Sequence, residues 1–181
     1  LNEVDPHRVA IRAISGLYDG ATTKQLDDLC VQTAPLLIGE EPQYSLLAAR
    51  LLSTYFDEEV VTSGVRNFME SIEFGHKNGL IANQVVEFVR KHREKLEAAI
   101  NPSRTMLFEY FGLRTIYDRY LLKDPKSRAV FETPQYFFMR VACGLAQSAE
   151  EAVELYEIVS RLDYMPSTPT LFNSGTLRPQ M

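Results

Sequence analysis

The chain has 181 residues, of which 45% are hydrophobic and 24% charged, and its formal net charge is −5 at pH 7. These values are ordinary for a globular protein, and the acidic balance argues against a nucleic-acid-binding module, which normally carries a basic face. Two cysteines are too few for a disulfide framework, and no apolar run is long enough to span a membrane.

The first 60 residues predict three helices. Asp5, followed by a proline, is a helix cap, and apolar residues then recur at helical spacing. Thr22 or Thr23 begins a second helix, and Pro42 opens a third. This pattern predicts a bundle-like N-terminal unit over residues 1–60.

Residues 61–105 are predicted to be a helical connector. Thr62 or Ser63 begins one helix in this region, and apolar spacing from Val85 predicts a second. The second helix is expected to continue through a strongly charged run until the Asn-Pro pair at 101–102 breaks it.

Residues 106–181 are predicted to form a helical layer. Helical spacing runs from Met106 to Leu122, and a β-favouring run at 129–131 after an Asp-Pro pair predicts a turn or a small β-hairpin. Pro134 then opens a helix, and Ser148 begins a capping box for the next one. The fold class is therefore predicted to be mainly α.

The last stretch differs in character, because its prolines and a glycine forbid a continuous helix. It brings hydroxyls, an amide and flexible backbone into one segment, and such segments can donate several hydrogen bonds to phosphate oxygens. Leu171 and Phe172 are expected to anchor it in the core. The pattern predicts an irregular C-terminal loop that is either an anion site or an ordinary surface connection. Its polar residues and glycine are Thr168, Thr170, Asn173, Ser174, Gly175 and Thr176.

Residue types that usually carry catalysis are sparse. His7, His76 and His92 lie far apart and lack cysteine or carboxylate partners at metal-ligand spacing, so no metal site is predicted. Cys30 and Cys143 sit in apolar helical patterns and are expected to be buried thiols. Five aromatic residues at helical spacing are expected to lie in the core rather than to form a stacking platform. They are Phe108, Tyr110, Phe111, Tyr117 and Tyr120. The residue patterns assign no catalytic residue.

Three segments resemble the large subunit of class I ribonucleotide reductases, in the right order and spacing. They read EYFGLRTIYDRYLLK from Glu109, ETPQYFFMRVACGLA from Glu132, and ELYEIVSRLDYMPSTPTLFN from Glu154 onward. The resemblance implies a ribonucleoside-diphosphate reductase, which makes deoxyribonucleotides for DNA synthesis. It implies that Thr168 binds the substrate diphosphate, and that the redox cysteines follow Met181, so the chain alone is expected to be inactive.

The first 60 residues resemble the back half of an ATP-cone, the regulatory domain that senses ATP and dATP. The resemblance rests on VDPHRVAIRAISGLYDGATTKQLDDL from Val4 and YSLLAARLL from Tyr44, and it implies that Thr23 contacts the allosteric nucleotide. Glu58 stands where the family tends to place a lysine near the phosphates, and a carboxylate would repel a triphosphate. We therefore expect a partial or degenerate cone, and a working cone completed by preceding residues is the alternative.

The resemblance also implies partners and cofactors outside this chain. A small subunit would carry a metal-radical cofactor, thioredoxin or glutaredoxin would restore the cysteine pair, and large subunits would self-associate. No cofactor within this chain, no nucleic-acid or membrane partner and a cytoplasmic location are expected, since no signal peptide is visible. The competing hypothesis is a purely regulatory or subunit-interaction helical module without substrate contact.

Overall fold

The chain is mainly helical in the computed structural model, which describes residues 3–178. Two isolated antiparallel bridges are the only β-pairing within these residues, and none of the helices described there is both long and apolar enough to cross a membrane. The mainly α prediction is confirmed, and the predicted break at Pro179 lies outside the described residues. The helices are α1 (Pro6–Ser15), α2 (Thr23–Thr33), α3 (Tyr44–Thr62), α4 (Phe68–Lys77), α5 (Asn83–Lys91), α6 (Arg93–Ala99), α7 (Tyr110–Thr115), α8 (Pro134–Leu145), α9 (Ala149–Ser160) and α10 (Thr168–Asn173).

Three short helical turns of other types lie between the α-helices. Ala34–Leu37 and Pro102–Leu107 are 3-10 turns, and Ile116–Tyr120 is a π-helical turn that continues α7. Its wider geometry is closed by the Leu121 N–H, which donates to the Ile116 carbonyl five residues earlier at 3.0 Å. Such π-turns inside helices are frequent at functional sites.

Side-chain caps explain where several helices start. Asp5 caps α1, Thr22 caps α2 in a reciprocal capping box with Gln25, and Ser148 caps α9. Each cap satisfies backbone N–H groups that have no partner within the helix. These starts were all predicted from the sequence, because capping depends on residues only two or three positions away.

The connector differs from its prediction. α3 runs through Thr62, so the predicted helix start at Thr62 or Ser63 is wrong. The next helix begins after Asn67, whose side-chain oxygen accepts the Glu70 N–H at 2.9 Å. The single charged helix predicted from Val85 is divided into α5 and α6 at His92.

Of the predicted alternatives at 123–131, a turn or a small β-hairpin, the structure has the turn, with one isolated bridge between Lys123 and Val130. The next pair outward would join Leu122 and Phe131. However, the Leu122 N–H donates to a carboxylate oxygen of Glu132 at 2.7 Å, and the Phe131 carbonyl accepts a side-chain hydroxyl from α4 at 3.0 Å. The Leu122 N–H and the Phe131 carbonyl are thus bonded elsewhere. Only one backbone hydrogen bond of this pair forms, from the Phe131 N–H to the Leu122 carbonyl at 3.3 Å, and the bridge does not extend into strands.

α8 lies at the centre of the fold. Nine of its twelve residues are buried, and it packs against α4, α5, α9 and α10. A smaller apolar cluster lies beneath α1, and α3 contributes to both clusters, through Ala48 on one side and Leu52 on the other. The N-terminal unit is therefore joined to the rest of the core along α3.

The C-terminal segment is not wholly irregular, because Thr168–Asn173 forms the short helix α10. Pro169 lies in its first turn, where a missing N–H breaks no helical hydrogen bond. Leu171 is buried as predicted, but Phe172 is 41% exposed. The helix ends at Ser174, whose backbone is extended, and Gly175 then takes a positive φ of 78°.

Candidate functional site

Two hydroxyl groups meet on the surface at the start of α10. The Thr168 Oγ1 and the Tyr120 hydroxyl are 3.0 Å apart, a hydrogen bond in which either oxygen can donate. Thr168 is exposed and Tyr120 is half-buried. The Tyr120 ring stacks on Phe137 at 6.0 Å and packs against Phe172 at 4.8 Å, so aromatic contacts hold the tyrosine in place.

The other end of α10 is fastened to α8. The Ser174 hydroxyl donates to the Val141 carbonyl at 2.7 Å, and the Ser174 carbonyl accepts from the Arg140 guanidinium, also at 2.7 Å. The backbones approach so closely that a Cβ on Gly144 would lie 2.8 Å from the Gly175 Cα. The contacts of Ser174, six residues after Thr168, therefore fix the position of the helix that carries Thr168.

The polar residues of this segment have different roles. Ser174 is fully buried and bonded to α8, while the Thr176 hydroxyl donates to the Asn173 carbonyl at 2.8 Å. Neither hydroxyl points outward as a free donor, contrary to the prediction that the segment as a whole could serve an anion. Thr168 keeps its hydroxyl at the surface, beside Tyr120.

A buried ion pair lies behind the site. The Arg140 Nε and Nη2 donate to the two carboxylate oxygens of Glu132, each at 2.9 Å, and the two side chains are 0% and 1% exposed. Glu132 also accepts the Leu122 N–H, two residues after Tyr120, and Arg140 also holds the Ser174 carbonyl. One pair of charges therefore connects the segment that carries Tyr120 to the helix that carries Thr168.

The family model described as "Ribonucleotide reductase, all-alpha domain" matches residues 106–179, which include this site. The chain is also similar to a ribonucleoside-diphosphate reductase large chain of Neurospora crassa, at 35% identity over all of this chain and 20% of the relative. The corresponding large subunit of Caenorhabditis elegans is 38% identical, and that of monkeypox virus 33%, with 98% and 99% of this chain aligned to 23% and 24% of the relatives.

The chain belongs to the ribonucleotide reductase large-subunit family. It corresponds to the N-terminal region of that subunit, which confirms the resemblance to the large subunit. The chain spans only about a fifth to a quarter of the length of these large subunits.

Three residues at this site were missed by sequence reasoning. Tyr120 was assigned to an aromatic core cluster, and neither Glu132 nor Arg140 was singled out. An arginine inside the apolar run FFMRVACG was an available signal, because a charged residue in a buried helix needs a partner. Nothing in the sequence marked Glu132 as that partner. The aromatic cluster was predicted to lie in the core, but one member, Phe111, is 65% exposed.

Thr23 lies elsewhere, at the start of α2, beside a cavity of about 210 Å³. The cavity is bordered by three carboxylates, those of Asp27, Glu58 and Glu59, but only one cation, Lys24. This set of charges is unfavourable for a nucleotide triphosphate, because the carboxylates repel the phosphates more than the lysine attracts them. The residues that line this cavity do not fit a triphosphate.

The one lysine of the cavity is already engaged. Its Nζ lies 3.8 Å from a Glu59 carboxylate oxygen and 5.7 Å from the centre of the Tyr55 ring. Glu59 also accepts the Tyr117 hydroxyl at 2.9 Å. Burial, followed by the Glu59 charge, raises the pKa of Tyr55 to about 12, so this phenol stays protonated at neutral pH.

Both thiols of the chain have a raised pKa. Burial raises the pKa of Cys143 to about 12, and burial together with the Asp27 charge raises the pKa of Cys30. His76 Nδ1 contacts the Ile81 carbonyl at 3.0 Å, a local structural contact. Within residues 3–178, no group of three or more His, Cys, Asp or Glu side chains is arranged to hold a metal ion.

Proposed function

We propose that this chain acts within a ribonucleoside-diphosphate reductase, in which Thr168 hydrogen-bonds the diphosphate of the substrate. The observation that carries the proposal is the exposed Thr168 hydroxyl on a helix that buried groups hold in place. A hydroxyl has one proton to donate, and a phosphate oxygen is a strong acceptor. The site therefore suits one directed hydrogen bond to an anion rather than charge neutralisation.

In the proposed reaction the ribose loses its 2′-hydroxyl as water and gains a hydrogen, while two thiols are oxidised to a disulfide. The family resemblance assigns those thiols to cysteines outside this chain. Cys30 and Cys143 are poorly suited to the task, because a raised pKa keeps a thiol in its unreactive protonated form. This chain would contribute binding and orientation, and no electron transfer.

The Thr168 hydrogen bond would act mainly by positioning. Holding the diphosphate fixes where the ribose sits relative to the reacting groups, and orientation is a large part of catalysis. A hydrogen bond to a charged group contributes about 1.5–3 kcal/mol, and roughly 1.4 kcal/mol corresponds to tenfold in affinity. Loss of this hydroxyl is therefore expected to weaken binding of the diphosphate by roughly tenfold or more.

We also propose the partners that the family resemblance implies. These are a small subunit that generates a radical with its metal cofactor, thioredoxin or glutaredoxin as reductant, a second copy of the large subunit, and ATP and dATP as effectors. The charges around Thr23 argue that the effectors do not bind at this cavity. We therefore propose that residues 1–60 are a degenerate ATP-cone.

Equilibrium binding to the full-length large subunit tests the Thr168 assignment. We expect Thr168→Val to weaken binding of a ribonucleoside diphosphate by roughly tenfold and to leave binding of the parent nucleoside unchanged, because the nucleoside has no phosphate. Thr168→Ser keeps a hydroxyl at the same place and serves as the matched control. Equal diphosphate affinity in the valine variant and the wild type would remove the assignment.

One observation favours the competing function, a regulatory or subunit-interaction module without substrate contact. Ile11, Ile14 and Tyr18, on or just after α1, are 67%, 60% and 63% exposed, and neighbouring exposed apolar side chains often mark a contact surface. Light scattering of the full-length subunit with and without dATP tests this function. A change of assembly that Ile14→Glu abolishes, together with unaltered substrate binding by Thr168→Val, would favour it.

A further inference from the structure

The hydrogen bond between Tyr120 and Thr168 has a direction that the proposed function fixes. The two oxygens are 3.0 Å apart and either can donate. A threonine hydroxyl has one proton and two acceptor lone pairs. If Thr168 gives its proton to a phosphate oxygen, which can only accept, it has none left for Tyr120. The tyrosine must then be the donor in their shared hydrogen bond.

We propose that Tyr120 is a positioning residue for the substrate diphosphate, whose phenol donates to Thr168 Oγ1 and thereby directs the threonine proton toward the phosphate. This inference rests on the proposed function. The resulting chain runs from the Tyr120 O–H to Thr168 Oγ1, and from the Thr168 O–H to the ligand. Successive hydrogen bonds of this kind strengthen one another, because each donor is polarised by the bond it accepts.

Packing contacts fix the position of the Tyr120 side chain. Its ring stacks on the buried Phe137 and packs against Phe172, which belongs to the same short helix as Thr168. Tyr120 is also the last residue of the π-helical turn, after which the backbone becomes extended at Leu121. The change from helix to extended chain places the phenol at the edge of the core rather than within it.

The buried ion pair holds the segments that carry the Tyr120 and Thr168 hydroxyl groups next to each other. Glu132 accepts the Leu122 N–H at 2.7 Å, just after Tyr120, and Arg140 donates to the Ser174 carbonyl at 2.7 Å, at the end of the helix that begins at Thr168. Both connections pass through the paired carboxylate and guanidinium. The donor and the acceptor therefore sit on segments tied to the same rigid element.

A double-mutant cycle in the full-length large subunit, assayed with its small subunit, tests the inference. The variants are Tyr120→Phe, Thr168→Val and the double variant, and the measured quantities are KM for a ribonucleoside diphosphate and kcat. We expect Tyr120→Phe to raise KM roughly three- to tenfold with little change in kcat. In the Thr168→Val background the same change should have no further effect, because the tyrosine acts through the threonine.

Two control variants separate the hydroxyl from the ring. Tyr164→Phe removes a phenol that is 61% exposed and lies on the loop before α10, and it should leave KM unchanged. Tyr120→Leu removes the aromatic packing and should lower the melting temperature, whereas Tyr120→Phe should not. A KM effect in Tyr120→Phe at an unchanged melting temperature is therefore attributable to the hydroxyl.

The outcomes distinguish this inference from the proposed function. If Thr168→Val leaves KM unchanged, the substrate assignment fails and the role of Tyr120 fails with it. If Thr168→Val raises KM but Tyr120→Phe does not, only the role of Tyr120 is overturned. If both single variants raise KM and their effects multiply in the double variant, Tyr120 does not act through Thr168, and the inference is also overturned.

Discussion

The guanidinium of Arg140 and the carboxylate of Glu132 form two hydrogen bonds of 2.9 Å, and both side chains are shielded from solvent. Each partner also bonds one backbone group, the Leu122 N–H for Glu132 and the Ser174 carbonyl for Arg140. All four contacts would be disturbed by the loss of either charge. The pair therefore governs both the local stability and the geometry of the site.

Arg140→Met is expected to destabilise the chain strongly. The methionine fills part of the space but leaves the Glu132 carboxylate buried without its partner, and breaking a buried pair in this way costs about 3–5 kcal/mol. Urea denaturation of the 181-residue chain measures the change in the free energy of unfolding.

Arg161→Met is the matched control for the Arg140 variant. Arg161 pairs with Glu157 on the surface, where its side chain is 57% exposed, and exposed pairs contribute only about 0–1 kcal/mol. Equal losses in the two variants would contradict the structural role assigned to the buried pair.

Gly144→Ala should displace α10. The added methyl would lie 2.8 Å from the Gly175 Cα and closer still to the Gly175 nitrogen, so backbone must move rather than a flexible side chain. Overpacking of this kind costs about 1–3 kcal/mol, and we expect KM for the diphosphate to rise as well. Gly39→Ala, at a glycine with nothing within 4 Å of the added carbon, should leave both the melting temperature and KM unaltered.

Cys143 should resist thiol reagents until the chain unfolds. Burial raises its folded-state pKa to about 12, whereas the pKa of a cysteine in an unfolded chain is about 8.5. A raised folded pKa gives stability that is complete below the unfolded value and is lost as the pH rises above it. In a Cys30→Ser background, the Ellman reagent should label Cys143 only in urea. Unfolding should become easier as the pH rises from roughly 8.5 toward about 12.

Cys143→Ala in the same Cys30→Ser background provides the comparison for the pH dependence. Its unfolding free energy should fall less steeply with pH, because the ionising thiol has been removed. Fast labelling of Cys143 in the folded chain at pH 8 would show that the thiol is accessible and refute the prediction.

Glu58→Lys should improve nucleotide binding near Thr23. The substitution changes three carboxylates and one lysine around the cavity to two of each, which reduces the repulsion of a triphosphate. Isothermal titration of ATP should give no saturable heat with the unmodified chain and a measurable affinity with the variant. Glu94→Lys makes the same charge change outside the cavity and should not bind. Micromolar binding of ATP by the unmodified chain would mean that the cone functions despite Glu58.

The predictable parts of the fold depend on neighbours in the sequence. Caps at Asp5, Thr22 and Ser148 and the proline at the start of α8 follow from residues a few positions away. At residues 123–131 the turn alternative is observed rather than the hairpin, because groups of the next pair bond elsewhere. The Phe131 carbonyl, for example, accepts from Ser71, which lies 60 residues earlier. Local propensity carries no information about such contacts.

The difference between features set by sequence neighbours and features set by distant contacts also applies to the site. The prediction that Thr168 binds the diphosphate came from a segment with a distinctive composition and a strong family resemblance. Ser174 was misassigned because its hydroxyl bonds Val141, 33 residues away, and Tyr120 was missed because its partner is 48 residues away. Spacing within one helix described the tyrosine as core, and only the tertiary structure places its hydroxyl beside the threonine.

A crystal structure of the full-length large subunit with a bound ribonucleoside diphosphate tests the central claim most directly. We expect a phosphate oxygen at about 2.6–3.0 Å from Thr168 Oγ1, with the Tyr120 hydroxyl still within hydrogen-bond distance of the same atom. A diphosphate bound elsewhere, with Thr168 contacting only water or protein, would contradict the account.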